Sequence, residues 1–363
     1  MRILFCGGGT AGHVYPNIAI AESFLRNCPD SRIAYITTEN GIENGLVNFK
    51  KYQIHVIGLK RSLSLKNVKF IGLLIKGIED CKKIIREFRP DVIIGTGGYA
   101  TFPVIYAGYK LGIKTVVHES NLIPGKAIKH LEKIVDRIFV NFEESKSYFK
   151  YKEKVIQTGN PVRQGYYLIN KIEARKNLNI KEKNVVLCFG GSLGATKIND
   201  AAIELIDNLI KYRDDIVFLW ATGKTEYNEI QKKIKENGFD KLKNIKIYDY
   251  ISNMPEMLAS SDIVICRAGA MTISEVALCS KSAIFIPSPN VTDNHQYKNA
   301  KILADNECAV LITEDELYKL TDSVRELLEN QAKREEMESK IQRFATIDAN
   351  KIIYKEICNL LNK

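Results

Sequence analysis

Short apolar runs rich in β-branched residues alternate with longer amphipathic stretches along the whole chain. In the first half the runs are RILFC (2–6), RIAYIT (32–37), IHVIG (54–58), DVIIG (91–95), KTVVH (114–118) and RIFV (137–140). In the second they are NVVLCFG (184–190), IVFLW (216–220), IKIYD (245–249), DIVIC (262–266), SAIFIP (282–287) and CAVLI (308–312). Runs this apolar are strands covered on both faces, and the helical patterns between them supply the cover, so the sheets are parallel. The predicted fold class is α/β, doubly wound, and it occurs twice. The repeat shows in RILFCGGGTAGHVYPNIAIAESF (2–24) and NVVLCFGGSLGATKINDAAIELI (184–206), each a strand, a Gly-Gly turn and a helix start of small residues. QTGNPVR (157–163) reads as the linker, giving domains at 1–160 and 161–345. Two such domains facing each other put both glycine turns at one cleft, outside the carboxyl ends of the strands.

Composition adds room and a charge asymmetry. A length of 363 residues accommodates two cores, and 45% apolar with 26% charged residues is ordinary for a soluble protein. The apolar runs fall short of the ~20 residues of a membrane span. The opening MRILFCGGG reads as a buried strand rather than a secretory signal, so a cytosolic protein is expected. Eight cysteines, without a C-x-x-C pair and mostly inside apolar runs, read as small buried hydrophobes. Residues 1–160 hold 24 Lys and Arg against 14 Asp and Glu, whereas residues 161–363 hold 29 of each. The net charge of +10 thus lies wholly in the first half, which is expected to meet an anionic partner or surface.

The chemistry concentrates at strand ends. In FCGGGTAGH (5–13), Gly7, Gly9 and Gly12 satisfy the G-x-G-x-x-G spacing of a dinucleotide site. That reading needs an acid about 20 residues on; Glu39 comes late and Asp30 lies in a polar segment before the second strand. His13 follows the turn and precedes Pro16, a residue suited to a helix start, so its imidazole is expected to point outward as a general base. FGGSLGATKIND (189–200) is the cleaner diphosphate candidate, with close-approach glycines, a helix start and the Ser192 hydroxyl. In RAGAMTISE (267–275), Glu275 suits a ribose diol, but Thr272-x-x-Glu275 is equally a capping box. His295 and Gln296, in PSPNVTDNHQYKNA (287–300), sit at a helix start that either binds a sugar or is a solvated first turn capped by Asp293. GTGGYATFP (95–103) and HESNLIPG (118–125) are further polar strand ends, and three in one half imply a lined cleft.

No Asp-x-Asp pair and no His/Cys/Asp ligand set occurs, so neither metal nor cofactor is expected; a leaving diphosphate is left to helix N-termini and hydrogen bonds. Residues 60–89 hold nine basic and three acidic residues. Ile71, Leu74 or Ile75, Ile78 and Ile85 repeat at helical spacing, and Phe70, Leu73 and Leu74 exceed one buried stripe. An anionic bilayer surface and a wide buried face with solvated lysines both fit. Nucleic acid does not, for want of stacking aromatics.

The series GGGTAGHVYPNIAIA, GTGGY, HESN, GNPVR, GGSLGA, RAGAMTISE and DNHQYKNA, in this order over nearly the whole chain, resembles the MurG family of peptidoglycan glycosyltransferases. The resemblance implies a GT-B fold, two Rossmann-like domains about a central cleft, with the last helix (about 346–363) packed back on the first domain. It implies inverting transfer of N-acetylglucosamine from UDP-N-acetylglucosamine to the C4 hydroxyl of the muramoyl sugar of undecaprenyl-diphospho-muramoyl-pentapeptide (lipid I), giving lipid II. The enzyme would sit peripherally on the anionic cytoplasmic face of the cell membrane, with acceptor and membrane on the first domain and donor on the second. Residue by residue, His13 is the favoured base, with Glu119 and Tyr99 the next catalytic candidates. Thr10, Ala11 and Gly12 lie near the donor sugar and acceptor diphosphate, and Tyr99 and Asn121 line the cleft. Arg163 and Ser192 meet the UDP diphosphate, and the Ile251 backbone reads the uracil. Ala270, Met271, Thr272, Ile273, Ser274 and Glu275 wrap the nucleoside, Glu275 on the ribose, and Gln296 holds the sugar hydroxyls. Ala11 departs from the glycine more common there, and its methyl tightens the loop. The competing readings are a UDP-sugar transferase acting on another lipid such as diacylglycerol, a non-catalytic nucleotide-sugar or lipid-diphosphate binder, and a nicotinamide oxidoreductase.

Overall fold

Two parallel sheets organise the chain, each reversing its winding direction beside its first strand. The computed structural model describes residues 1–56, 66–163, 165, 166, 168–191 and 193–363, with the backbone alone over 66–71. Ser192 and the start of the basic stretch, including Phe70 and Ile71, therefore lie outside the described side chains. The chain divides into two compact units, Met1–Arg163 with Thr346–Lys363, and Gln164–Ala345.

The first unit holds β1 (Arg2–Cys6), β2 (Arg32–Thr38), β3 (Lys50–Ile54), β4 (Val92–Gly95), β5 (Lys114–Glu119), β6 (Arg137–Val140) and β7 (Val155–Gln157). They form one parallel sheet of order β3-β2-β1-β4-β5-β6-β7. The chain moves outward from β1 to β3 and then crosses over to β4, so β1 and β4 flank the switch point where α/β sheets open a crevice. Their carboxyl ends carry the Gly7–Thr10 and Thr96–Tyr99 turns. The second unit repeats this with β8 (Asn184–Phe189), β9 (Ile216–Ala221), β10 (Ile245–Tyr248), β11 (Ile263–Cys266), β12 (Ser282–Phe285) and β13 (Val310–Leu311), in the order β10-β9-β8-β11-β12-β13. Here β8 and β11 flank the switch point and end in residues 190–195 and 267–269.

One strand is not where the apolar pattern puts it. β3 is KKYQI, and only Ile54 of it is buried. Of the expected run IHVIG, Ile54 ends the strand, His55 and Val56 lie beyond it, and Ile57 and Gly58 are outside the described residues. As the sheet's edge it has one neighbour and an exposed flank, so apolar continuity is no guide to it. The short edge strand β7 carries no such run either.

One face of the first sheet packs Ile3, Phe5, Ile94, Val116 and Phe139 against Val14, Ile20 and Phe24 of the helix Ala11–Asn27. Ile353 and Ile357 of the helix Ala349–Leu360 complete that layer, and Tyr354 meets Phe24 at 4.9 Å between ring centroids. Burying each isoleucine is worth about 1.5–3 kcal/mol, which ties the chain's last helix to the first unit. Asn350 adds a bond to the Val162 carbonyl at 2.7 Å. The opposite face packs Leu4, Ile36, Ile93, Val117 and Ile138 with Ile85 and Val104. In the second unit Phe218 and Trp220 are fully buried among Ile198, Leu205 and Leu327. All eight cysteines are free thiols, most of them buried. Among the described residues no helix is long and apolar enough to cross a membrane.

Candidate active site

In the first unit two glycine turns press together backbone to backbone. Gly8 N–H donates to the Gly97 carbonyl at 3.4 Å, and Gly98, at φ +80°, leaves room for the Gly8 oxygen where a Cβ would stand 2.1 Å from it. His13 closes the corner, its ring lying against Gly97. His13 Nδ1 is 3.1 Å from the Gly8 carbonyl and 3.1 Å from Thr10 Oγ1. A carbonyl only accepts, so Nδ1 carries the proton of the neutral ring and Nε2 carries the lone pair, the tautomer a general base needs. The helix begins at Ala11 rather than at Pro16, so His13 lies in the first turn and Pro16 within the helix. Having no N–H, Pro16 donates nothing to the Gly12 carbonyl one turn back.

The turn is held from beneath by residues the sequence reading did not single out. Asn17 is fully buried; its amide donates to the Cys6 carbonyl at 2.9 Å and the Tyr35 hydroxyl at 3.0 Å, and Tyr35 donates to the Gly7 carbonyl at 2.7 Å. Thr96 donates to the His13 carbonyl, and Thr101 to the Gly97 carbonyl at 2.6 Å. A signal for Asn17 existed, since the repeat carries Asn199 at nearly the same place after its glycine turn.

Tyr99 stands over Gly9, half-exposed, with its hydroxyl 3.0 Å from Thr38 Oγ1. Glu119 is buried and both its oxygens are occupied. Oε1 accepts from the Asn121 backbone at 2.9 Å and its side-chain amide at 3.0 Å, and Oε2 from Gly125 N–H at 2.8 Å. Burial pushes its pKa up against those opposing hydrogen bonds. These bonds make Glu119 the acceptor around which the 119–125 turn is built. Neighbouring His118 is buried, donates from Nε2 to the Gly159 carbonyl at 3.0 Å, and is pushed down to about 4 by burial. Arg163 is exposed, its guanidinium 4.9 Å from the Tyr15 ring centroid.

The second unit reuses the device. Gly194 and Gly223 meet backbone to backbone; a Cβ on Gly194 would lie 2.3 Å from the Thr222 oxygen. Buried Asn199 donates to the Thr222 carbonyl at 2.9 Å and to Glu226 at 2.8 Å, and accepts from Trp220 at 3.1 Å. Two helices begin at these strand ends, Thr196–Asn208 and Ala270–Leu278, behind Ala195 and Gly269, neither of which has a side chain able to cap. Backbone amides and dipole together favour an anion at such ends.

The helix start at Ala270 removes the capping-box reading, because Thr272 and Glu275 both lie inside the helix. Met271, Thr272 and Glu275 are partly exposed, whereas Ile273 is fully buried and Ala270 and Ser274 nearly so. The Ser274 hydroxyl donates back to the Ala270 carbonyl at 3.1 Å. Met271, Thr272 and Glu275 thus present side chains at the surface of this helix, while Ile273 and Ser274 turn theirs inward. Arg267 is clamped by Glu314 at 2.5 Å and the Ile286 carbonyl at 3.2 Å, fixing the strand end. The Ile251 side chain is buried. Gln296 accepts from Ser288 N–H at 2.9 Å. Asp293 and Asn294 both adopt left-handed φ, and Asn294 is the cap position of the following helix. Among the described residues no group of three or more His, Cys, Asp or Glu could hold a metal.

Comparison with known proteins fits this duplicated arrangement. Residues 3–140 match the glycosyltransferase family 28 N-terminal domain and residues 185–351 its C-terminal domain. A protein of Thermoanaerobacter sp. (strain X514), called UDP-N-acetylglucosamine--N-acetylmuramyl-(pentapeptide) pyrophosphoryl-undecaprenol N-acetylglucosamine transferase, is 40% identical over 98% of this chain and 99% of its own. One of the same name from Alkaliphilus oremlandii (strain OhILAs) is 38% identical over the full length of both. The chain belongs to the MurG family.

The MurG of Acinetobacter baumannii superposes with a TM-score of 0.78 at 25% identity over 99% of both chains, and the fold is GT-B. UDP-GlcNAc 2-epimerase from Neisseria meningitidis shares the fold with a TM-score of 0.71 at 17% identity, covering 99% of this chain and all of its own. Fold alone therefore does not separate MurG from other users of the architecture; the full-length sequence identity does.

Proposed function

We propose that this chain transfers N-acetylglucosamine from UDP-N-acetylglucosamine to the C4 hydroxyl of the muramoyl sugar of undecaprenyl-diphospho-muramoyl-pentapeptide, forming lipid II with inversion. What carries the reading is the full-length identity of 40% to a transferase named for that reaction. The first unit takes the acceptor and the second the donor. His13 Nε2 removes the hydroxyl proton as the acceptor oxygen bonds to the anomeric carbon and the bond to UDP breaks. Thr10, Ala11 and Gly12 present backbone to the acceptor diphosphate, with Tyr99 and Asn121 beside them. Charge on the leaving UDP is met at the N-termini of the helices Thr196–Asn208 and Ala270–Leu278, with Arg163 and Ser192 assisting. Glu275 holds the ribose, the Ile251 backbone the uracil and Gln296 the sugar.

The work is done peripherally at an anionic cytoplasmic membrane surface. The packed helices Lys66–Phe88 and Thr101–Lys110 carry Ile75 at 59% exposure and Tyr109 at 45%, with Lys110 within 5.8 Å of the Tyr106 and Tyr109 ring centroids. Exposed apolar groups among lysines suit that surface.

The decisive experiment offers the purified protein UDP-N-acetylglucosamine with a lipid I analogue, and separately UDP-glucose with diacylglycerol, and follows products by mass spectrometry. Disaccharide from the first pair alone is expected. Product only from the second pair, or UDP binding without turnover in either, overturns the proposal. Binding to anionic vesicles should exceed binding to neutral ones and fall with added salt, and joint Ile75→Ser and Lys76→Glu replacement should weaken it.

A further inference from the structure

Beside the first glycine turn lies a carboxylate with no role so far. Glu43 opens the short helix Glu43–Leu46, and its side chain is fully buried. Oε1 accepts from the Thr38 N–H at 3.0 Å and from the Thr38 hydroxyl at 2.8 Å, while Oε2 has no hydrogen-bond partner among the described residues. The carboxyl is pressed against the turn: a Cβ on Gly8 would lie 2.7 Å from it, and one on Gly41 closer still. A buried carboxylate with an unsatisfied oxygen destabilises the fold, and packing alone does not account for it.

The Thr38 oxygen continues the chain, 3.0 Å from the Tyr99 hydroxyl. Counting protons gives each bond its direction. Oε1 receives an amide proton and so only accepts there, and the single proton of the Thr38 hydroxyl goes to it. The Thr38 oxygen is left to accept, so the Tyr99 O–H donates. The one proton of the phenol is thereby committed inside the protein. Tyr99, its ring against Gly9 and 37% exposed, turns lone pairs toward its surroundings.

We propose that Glu43, acting through Thr38, fixes Tyr99 as a hydrogen-bond acceptor beside the glycine turn, so that it engages a hydroxyl or amide N–H of the bound acceptor and not a phosphate oxygen. The proposal rests on the assignment of the first unit to the acceptor substrate. Glu43 and Thr38 are positioning residues; Tyr99 makes the contact.

The test uses the full-length protein, UDP-N-acetylglucosamine and a soluble lipid I analogue. Thr38→Val should lower kcat/KM for the acceptor about tenfold, or about 1.4 kcal/mol, while UDP binding by calorimetry stays unchanged and Thr38→Ser restores the rate. With Tyr99→Phe already in place, Thr38→Val should add less than about twofold. Should Thr38→Val not fold, 3-fluorotyrosine installed at position 99 alone and assayed below its phenol pKa gives the same answer. The fluorophenol donates better and accepts less well, so kcat/KM for the acceptor falls. A rise with fluorotyrosine, or a full additive loss from Thr38→Val in the Tyr99→Phe protein, overturns the proposal. Unchanged acceptor kinetics in Tyr99→Phe instead overturns the placement of Tyr99 at the acceptor site, a failure distinct from one in which Tyr99→Phe is impaired and Thr38→Val is not.

Discussion

Gly98→Ala tests whether the contact between the two glycine turns serves catalysis or only folding. Gly98 has φ +80°, and an added Cβ would stand 2.1 Å from the Gly8 oxygen. A carbon–oxygen contact needs on the order of 3.3 Å, so one of the two backbones must retreat by about 1 Å. The Gly8 carbonyl is the oxygen that orients His13 Nδ1 at 3.1 Å, so the retreat turns the imidazole. A misplacement of about 1 Å near the reacting groups is worth about 10²-fold in rate. Gly112 supplies the control: it too has positive φ, +71°, but a Cβ there meets nothing within 4 Å. Gly112→Ala thus carries the left-handed strain alone, about 1–2 kcal/mol. Calorimetric unfolding and transfer kinetics on both variants separate the effects. Gly112→Ala should lower Tm by a few degrees with kcat/KM within about twofold of wild type. Gly98→Ala should lose about 10²-fold in kcat/KM while calorimetric UDP affinity holds. Equal kinetics in the two variants would refute the coupling of the turns to His13.

Three further outcomes follow from the same geometry. His13→Asn, which keeps a hydrogen-bonding group but cannot take a proton at neutral pH, should lower kcat about 10²–10⁴-fold as His13→Ala does, and a near-normal kcat for the Asn variant removes His13 as base. Glu275→Gln should weaken UDP binding in calorimetry without changing Tm, since the position is partly exposed and not a cap; unchanged affinity leaves Glu275 without a donor role. His118, buried and pushed down from 6.5 to about 4, stays neutral in the fold while the unfolded chain takes up a proton, so its contribution to stability is lost as pH falls from 6.5 toward 4 and amounts to about 3 kcal/mol. Glu119, whose pKa is raised, acts in the opposite sense, so the measurement is the difference in denaturant stability between wild type and His118→Gln across that range; parallel profiles contradict it.

The candidate site was partly legible because its outline is local. A glycine turn between a strand and a helix is written in consecutive residues, and so are the strand ends that carry His13, Tyr99, Glu119, Glu275 and Gln296. The division of labour among them was not. Thr272-x-x-Glu275 reads as a cap until the helix is seen to start at Ala270. Ile273 and Glu275 are equivalent in a motif but differ in exposure, fully buried against partly exposed, because the helix turns one toward the core. Glu119 reads as a free carboxylate until the 119–125 turn folds back onto both its oxygens.

By itself the sequence determined the class of architecture, its repetition and the position of nearly every inner strand, since a strand buried on both faces must be apolar along its length. It did not mark β3 or β7, edge strands of the first sheet whose exposed flank frees them from an apolar pattern, although the edge strands β10 and β13 of the second sheet do carry one. Nor could it show that Gly8 needs Gly98, that Gly194 needs Gly223, or that Asn17 and Tyr35 hold the first turn from beneath. Those are contacts between segments far apart along the chain. They exist only after the parallel crossovers bring β1 beside β2 and β4, and β8 beside β9, and their energy depends on tenths of an ångström that no linear pattern records.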